Sequence, residues 1–186
     1  MSFSKRNYSF YLPFILILTL LFGSCRTQKE VSKTDPVKEP STNPSRNASV
    51  RKKYAALLDT DESKIDNLKL YSFIDEWYGV PYKYGGQNKK GIDCSNFAST
   101  LYSSVYKKTL TGSSASIFAQ CKTVSKNNLT EGDLVFFKIE GDKVSHIGVY
   151  LQNNKFVHAT TKKGVMIDDL DEAYYKKYYF KSGRTE

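Results

Sequence analysis

The sequence has 186 residues but only three cysteines and two histidines, so covalent and acid–base chemistry near neutral pH must come from very few side chains. The histidines, His146 and His158, flank the polar turn Gln152-Asn153-Asn154. Cys94 follows Asp93 after a glycine-rich stretch and opens an apolar pattern of helical spacing. A thiol at a helix start, a base and a third group that orients the base are the parts of a nucleophilic acyl-transfer site. One Cys and two His could instead hold zinc through three protein ligands, and a lone Cys is often just a small core residue. Three cysteines leave one unpaired and none forms a C-x-x-C pair, which excludes a disulfide framework,. Two histidines are too few for a His-rich metal cluster.

Several segments must position these groups. Ser63 with Asp66 reads as a capping signal for a helix running through Ile65, Leu68, Tyr71, Ile74 and Trp77 or Tyr78, stopped by Gly79 and Pro81,. Val80 to Gly86 is extended and then turns. A second helix starts at Asp93-Cys94-Ser95, with Asp93 as N-cap and Phe97, Leu101 and Val105 on one face,. In that first turn, backbone N–H groups and the helix dipole favour the thiolate, while Asp93 opposes them unless capping takes up its charge. Asp133–Ile139 reads as a mostly buried strand, and 146–151 with 155–159 as a strand pair. Cys121 reads as a buried structural thiol, and the aromatic run Tyr174–Phe180 as a short helix and last strand packed on the sheet.

The register of the 146–159 hairpin matters. A two-residue loop would send the histidines to opposite faces, since one residue of slip inverts every side chain. A three-residue loop with Asn154 left-handed keeps both on one face as diagonal neighbours, with Gly148 opposite His158 so that no side chain separates the imidazoles. The three-residue loop is expected.

The N-terminus has export grammar: Lys5 and Arg6, the apolar run Tyr11–Phe22, then Gly23 and Ser24,. Spanning a bilayer takes roughly 20 apolar residues, so this run is short for a transmembrane helix. Leu21-Phe22-Gly23-Ser24-Cys25 resembles a bacterial lipobox, with Phe22 in place of the usual Leu, which implies lipid modification of Cys25. From Arg26 to Glu62 the chain is rich in Ser, Thr, Asn, Lys and Pro and reads as a disordered tether,. The expected organisation is a signal peptide at 1–24, a lipidated Cys and tether at 25–62, and a catalytic domain at 63–186. The net charge of +9 is spread as +2, +3 and +4 over residues 1–24, 25–64 and 65–186. With no basic block it does not suggest a nucleic-acid partner, and it suits an anionic envelope surface.

The stretches Pro81-Tyr82-Lys83-Tyr84-Gly85-Gly86, Gly91-Ile92-Asp93-Cys94-Ser95, Gly132-Asp133-Leu134-Val135-Phe136-Phe137, His146-Ile147-Gly148-Val149-Tyr150 and Phe156-Val157-His158-Ala159 resemble the NlpC family of papain-like cell-wall cysteine peptidases. Within it, lipoprotein murein endopeptidases of the Spr (MepS) type are most similar. The resemblance implies an α+β papain-like fold with the Cys-bearing helix packed on an antiparallel β-sheet. It implies Cys94 as nucleophile, His146 as base and His158 as the residue orienting it. The Cys94 N–H and Tyr82 would serve the oxyanion, and Asp93 and Ser95 would line the substrate's amine side. No cofactor or metal is implied. The implied substrate is peptidoglycan stem peptides, cut through a thioacyl intermediate by a monomer held by lipid at the outer membrane and facing the periplasm. An amidase or acyltransferase on another exported substrate, or a non-catalytic envelope lipoprotein that binds wall peptide, are the alternatives. Two stretches depart from the family pattern: Asn96 replaces a Gly and is expected to narrow the space near the nucleophile, and Gly112–Ala115 lacks a Pro-Arg pair.

Overall fold

The computed structural model describes residues 43–185. The apolar run, Cys25 and the first part of the expected tether lie outside these residues, together with the expectations placed on them. Among the described residues, no helix is long and apolar enough to cross a membrane.

The scaffold of the site is a six-stranded antiparallel sheet, ordered β3-β8-β4-β5-β6-β7. A two-stranded ribbon, β1 (Gln87–Asn88) and β2 (Gly91–Ile92), lies outside it. The six strands are β3 (Lys122–Val124), β4 (Leu134–Phe137), β5 (His146–Tyr150), β6 (Lys155–Thr160), β7 (Gly164–Asp169) and β8 (Tyr179–Arg184). Strand alternation sorts the apolar side chains into two cores. Leu134, Phe136, Ile147, Val149, Val157 and Ala159 belong to the larger one. Val135, Phe137 and Phe156 meet Leu170 and Tyr175 in the smaller one.

Five helices complete the described chain: α1 (Pro44–Leu57), α2 (Leu68–Trp77), α3 (Cys94–Leu101), α4 (Ser114–Ala119) and α5 (Ala173–Tyr178). α3 packs on β5 and β6. Its Phe97 and Leu101, with Val105 in the π-turn Tyr102–Tyr106 that continues it, form the buried face expected from their spacing. α5 and β8 are the short helix and last strand expected of the aromatic run. The fold is thus the expected α+β arrangement, with the Cys-bearing helix against an antiparallel sheet.

Two expectations about the N-terminal part need correction. First, order begins before residue 63, because Pro44–Leu57 is a helix within the stretch read as a disordered tether. Asn43 caps it by accepting from the Ser45 N–H at 3.1 Å, and Pro44 occupies its first turn. It packs on α2 through a narrow stripe, Val50, Tyr54 and the following Leu58, spaced four apart as one helix face requires. Burying Leu58 contributes about 2 kcal/mol, and the buried Tyr54 ring lies 5.1 Å from that of Tyr71. Arg46 pairs with Glu76 and Lys53 with Asp75, so the basic residues that made the segment look solvated also pin it. Second, Ser63 caps no α-helix. It sits in the 3-10 turn Glu62–Lys64, and α2 is capped by Asn67, whose side chain accepts from the Leu70 N–H at 3.2 Å. Arg51 holds the intervening bend by donating to the Ile65 carbonyl at 2.6 Å.

Candidate active site

The thiol arrives on a locally organised turn. Ile92 N–H donates to Pro81 O at 3.0 Å and Lys83 N–H to Ile92 O at 3.2 Å, so the Tyr82 segment runs beside the residue that precedes the N-cap. Asp93, 7 % exposed, gathers four donors. Its Oδ1 accepts from Asn96 N–H at 2.8 Å and Ser95 Oγ at 2.9 Å. Its Oδ2 accepts from Gly85 N–H at 2.9 Å and Asn96 Nδ2 at 2.8 Å. Asp93 is therefore the expected N-cap and also ties the glycine-rich turn to the helix. Ser95 is engaged with it rather than with a cavity wall. Asn96, the departure from the family's Gly, joins the cap with its side-chain amide.

Cys94 is a buried free cysteine, and the backbone N–H groups of Ile147, Ser95 and Cys94 itself lie near enough to its sulfur to favour the thiolate. Contrary to the expectation from helix geometry, its thiol is not acidified. Burial, with the Asp93 charge added to it, outweighs the three N–H groups and pushes the thiol up to about 11,. A thiol raised this far is protonated at neutral pH.

The histidines sit where the three-residue loop was expected to put them. Val149 pairs with Val157 and Tyr150 with Phe156, Leu151 N–H donates to Lys155 O at 2.9 Å, and Asn154 is left-handed with φ +59°. His146 Nε2 and His158 Nδ1 are 2.6 Å apart. Gly148 lies opposite His158 as expected and has a second job. A Cβ there would fall 2.5 Å from Phe156 Cδ2, so the missing side chain makes room for the Phe156 ring, which lies 4.6 Å from the His158 ring. His146 opens β5 next to Ile147, whose N–H lies near the sulfur, so thiol and imidazole approach the same strand end. His158 is fully buried and His146 nearly so. Burial first, and the neighbouring His158 second, hold His146 well below the ordinary histidine value. Its ring is neutral at pH 7.

Sequence reasoning missed two groups. Asp168 on β7 lies with Oδ2 2.9 Å from His158 Nε2, and Tyr175 on α5 donates to that same oxygen at 2.6 Å. The alternation of β7 could have placed Asp168 on the histidine face, but only with the β6–β7 register in hand. A cavity of about 400 Å³ opens beside the relay, and Tyr82, Glu140, His146, Lys163, Asp168 and Tyr175 are among its walls. Tyr82 stands near the thiol, and its phenol is pushed up to about 12 by burial first and the Cys94 and Asp93 charges next, so it remains a hydrogen-bond donor. Asp93 and Ser95, expected on the substrate's amine side, are not among the cavity's walls. Cys121 is half-buried rather than buried, with its thiol donating to the Ile117 carbonyl at 3.2 Å.

Residues 79–184 match the sequence model of the NlpC/P60 family, which takes in the Tyr82 segment, Cys94 and both histidines. The chain belongs to the NlpC/P60 family. Among similar proteins, an Escherichia coli (strain K12) protein named murein DD-endopeptidase MepS/murein LD-carboxypeptidase is 39% identical over 131 residues, covering 68% of this chain and 69% of that protein. A Haemophilus influenzae protein named "Probable endopeptidase NlpC homolog" is 44% identical over 115 residues, which span 62% of this chain and 61% of the relative. Among solved structures, an NlpC/P60 family protein from Bacillus cereus ATCC 10987 superposes with a TM-score of 0.58 at 28% identity, covering 62% of this chain and 39% of that one. The NlpC/P60 stretch begins at Gly79, so α1 and α2 lie outside it.

Proposed function

We propose that this chain is a cysteine peptidase that hydrolyses amide bonds in peptidoglycan stem peptides or their crosslinks, with Cys94 as nucleophile and His146 as general base. The observation that carries the reading is the 2.6 Å contact between His146 and His158 at the strand against which the Cys94-bearing helix packs. The names of the relatives, murein and peptidoglycan endopeptidases, supply the substrate class.

In this mechanism the Cys94 proton passes to His146 as the sulfur attacks the scissile carbonyl carbon, and the carbonyl oxygen becomes an oxyanion. The Cys94 N–H and the Tyr82 hydroxyl stabilise that oxyanion. His146 then returns the proton to the leaving amine, and a thioacyl enzyme remains. Water, deprotonated by His146, attacks the thioacyl carbon and releases the carboxylic acid and the thiol. Because thiol and imidazole are both neutral at rest, the proton moves in step with attack. His158 holds the base, and Asp93 with Ser95 shape the turn that presents the sulfur.

The reading extends to the N-terminus: lipid at Cys25 would hold the domain at the outer membrane, facing the wall. The segment before α1 would act as the tether, shorter than the full 25–62 stretch. Digestion of purified peptidoglycan, with the released muropeptides separated by chromatography, tests the activity. Wild type should release new fragments and Cys94→Ala none; identical profiles would remove the assignment. Cys25→Ser should leave the membrane fraction, and its retention there would remove the lipid anchor.

A further inference from the structure

The hydrogen-bonded chain does not end at His158. Asp168 pairs with Phe156 across β6 and β7, which makes it a diagonal neighbour of His158, as His158 is of His146. Two successive diagonals therefore run the relay across three strands, at 2.6 Å and then 2.9 Å. Tyr175 closes it from α5, its ring 5.2 Å from that of His158 and its hydroxyl on Asp168 Oδ2.

The direction of these bonds follows from what each group can do. Burial raises the Asp168 carboxyl, but the hydrogen bonds from His158 and Tyr175 outweigh it and hold the group below its ordinary value, so it is ionised. An ionised carboxylate only accepts. His158 Nε2 must then carry the hydrogen, which leaves Nδ1 of the neutral ring bare. That nitrogen can only accept, so His146 Nε2 carries the second hydrogen. The remaining nitrogen, His146 Nδ1, keeps its lone pair. If the carboxylate were absent, the reversed pair of tautomers would fit the same ring positions, and His146 Nδ1 would carry a hydrogen in place of the lone pair a base needs.

We propose that Asp168, held by Tyr175, is a positioning residue that fixes the tautomers of both histidines and keeps His146 Nδ1 free to receive a proton. The tautomer assignment rests on the contact distances and on an ionised Asp168, while its catalytic consequence rests on the peptidase function. Within the aromatic run, Tyr175 is thereby set apart from its neighbours: it packs with Phe137 and Phe156 and also anchors the carboxylate. The charged groups that share the cavity wall with Asp168 are Glu140, Lys162, Lys163 and Glu172. None of these takes part in the relay's hydrogen bonds.

The test uses the full chain with 15N-labelled histidine side chains, together with steady-state hydrolysis of a crosslinked muropeptide. Wild type should show the Nε2–H form for both histidines. Asp168→Ala should populate the Nδ1–H form of His158 and lower kcat about 10- to 100-fold, a fraction of what general-base catalysis supplies, with KM within about threefold. Tyr175→Phe should lower kcat less than about 10-fold, and the double variant should be no worse than Asp168→Ala, because both act through one contact. Asp168→Asn, which keeps the side-chain shape and can donate or accept, should also give mixed tautomers and guards against a folding defect in the alanine variant. Unchanged Nε2–H tautomers in the Asp168 variants, unchanged kcat, or fully additive losses would overturn the proposal. If the tautomers shift while wild type cleaves no muropeptide, the peptidase function fails and the positioning role stands. Normal cleavage by folded Asp168 variants would do the reverse.

Discussion

The two halves of the site are held by different kinds of contact. Around the thiol, Asp93 collects Gly85, Ser95 and Asn96 within one short stretch of chain, so the turn and helix start form a local unit. The imidazole half has no such unit. His146, His158, Asp168 and Tyr175 come from three strands and a helix, and they meet only because two strand pairings hold their registers. A local unit tolerates distant change and fails when its own donors or acceptors change. A register-built unit tolerates surface change and fails when a turn or strand pairing shifts.

Removing His146, the proposed base, should have the largest effect and isolate the imidazole half. His146→Ala should lower kcat/KM for muropeptide hydrolysis by about 10²- to 10⁴-fold, with a stability loss of about 1–3 kcal/mol from the buried His158 nitrogen left without its partner,. A comparable catalytic loss on perturbing the Asp93 cap alone would mean that the halves are not separable.

Next in size is a change that strikes the register from outside the site. Gly164 starts β7 with φ +71°, and a Cβ there would lie 2.1 Å from the Val80 carbonyl oxygen. In this corner Gly79 N–H donates to Val165 O at 2.8 Å and Val165 N–H to Val80 O at 2.9 Å, joining the Tyr82 segment to the strand that carries Asp168. Gly164→Ala should cost about 3 kcal/mol by urea denaturation, since a strained backbone and a main-chain clash add. Hydrolysis by the remaining folded protein should fall as well. A loss under about 1 kcal/mol would show that the corner yields easily and that the register does not depend on it.

The smallest effect should come from Asp93→Asn, which sharpens the thiol half. Asparagine still caps a helix, but four donors converge here and an amide cannot accept all of them. A loss of about 1–2 kcal/mol is expected from the donors left unsatisfied. The same change removes a charge that raises the thiol, so Cys94 should titrate below the wild-type value of about 11 and react faster with iodoacetamide at pH 8. An unchanged alkylation profile would show that Asp93 has no hold on the sulfur.

The same division separates what was legible from what was hidden. Cys94 at a helix start, Asp93 as cap and the left-handed Asn154 follow from residue types a few positions apart, and all are found. The shared face of the histidines followed from period-two alternation once the loop length was chosen. The helix Pro44–Leu57 was readable too, from Asn43-Pro44 and the four-residue spacing of Val50, Tyr54 and Leu58. Its largely polar composition concealed it, because one narrow stripe is all that it buries.

Other features needed the assembled chain. The acidity of the thiol depends on how deeply the sulfur is covered, a property of packing that reversed the expectation from the helix dipole. Gly148 opposite His158 was legible, but its second role, clearing the Phe156 ring, was not, because no spacing rule supplies a ring's direction. Asp168 and Tyr175 were invisible as partners of His158, since their meeting depends on the β6–β7 turn length and on where α5 folds back. Residue types and short spacings were thus enough to place Cys94 at a helix start, to put both histidines on one face and to name the fold that carries them, because helix caps, turns and alternation are set by near neighbours. What the two imidazoles bond to beyond each other came from long-range pairing, because Asp168 reaches His158 only through the β6–β7 register.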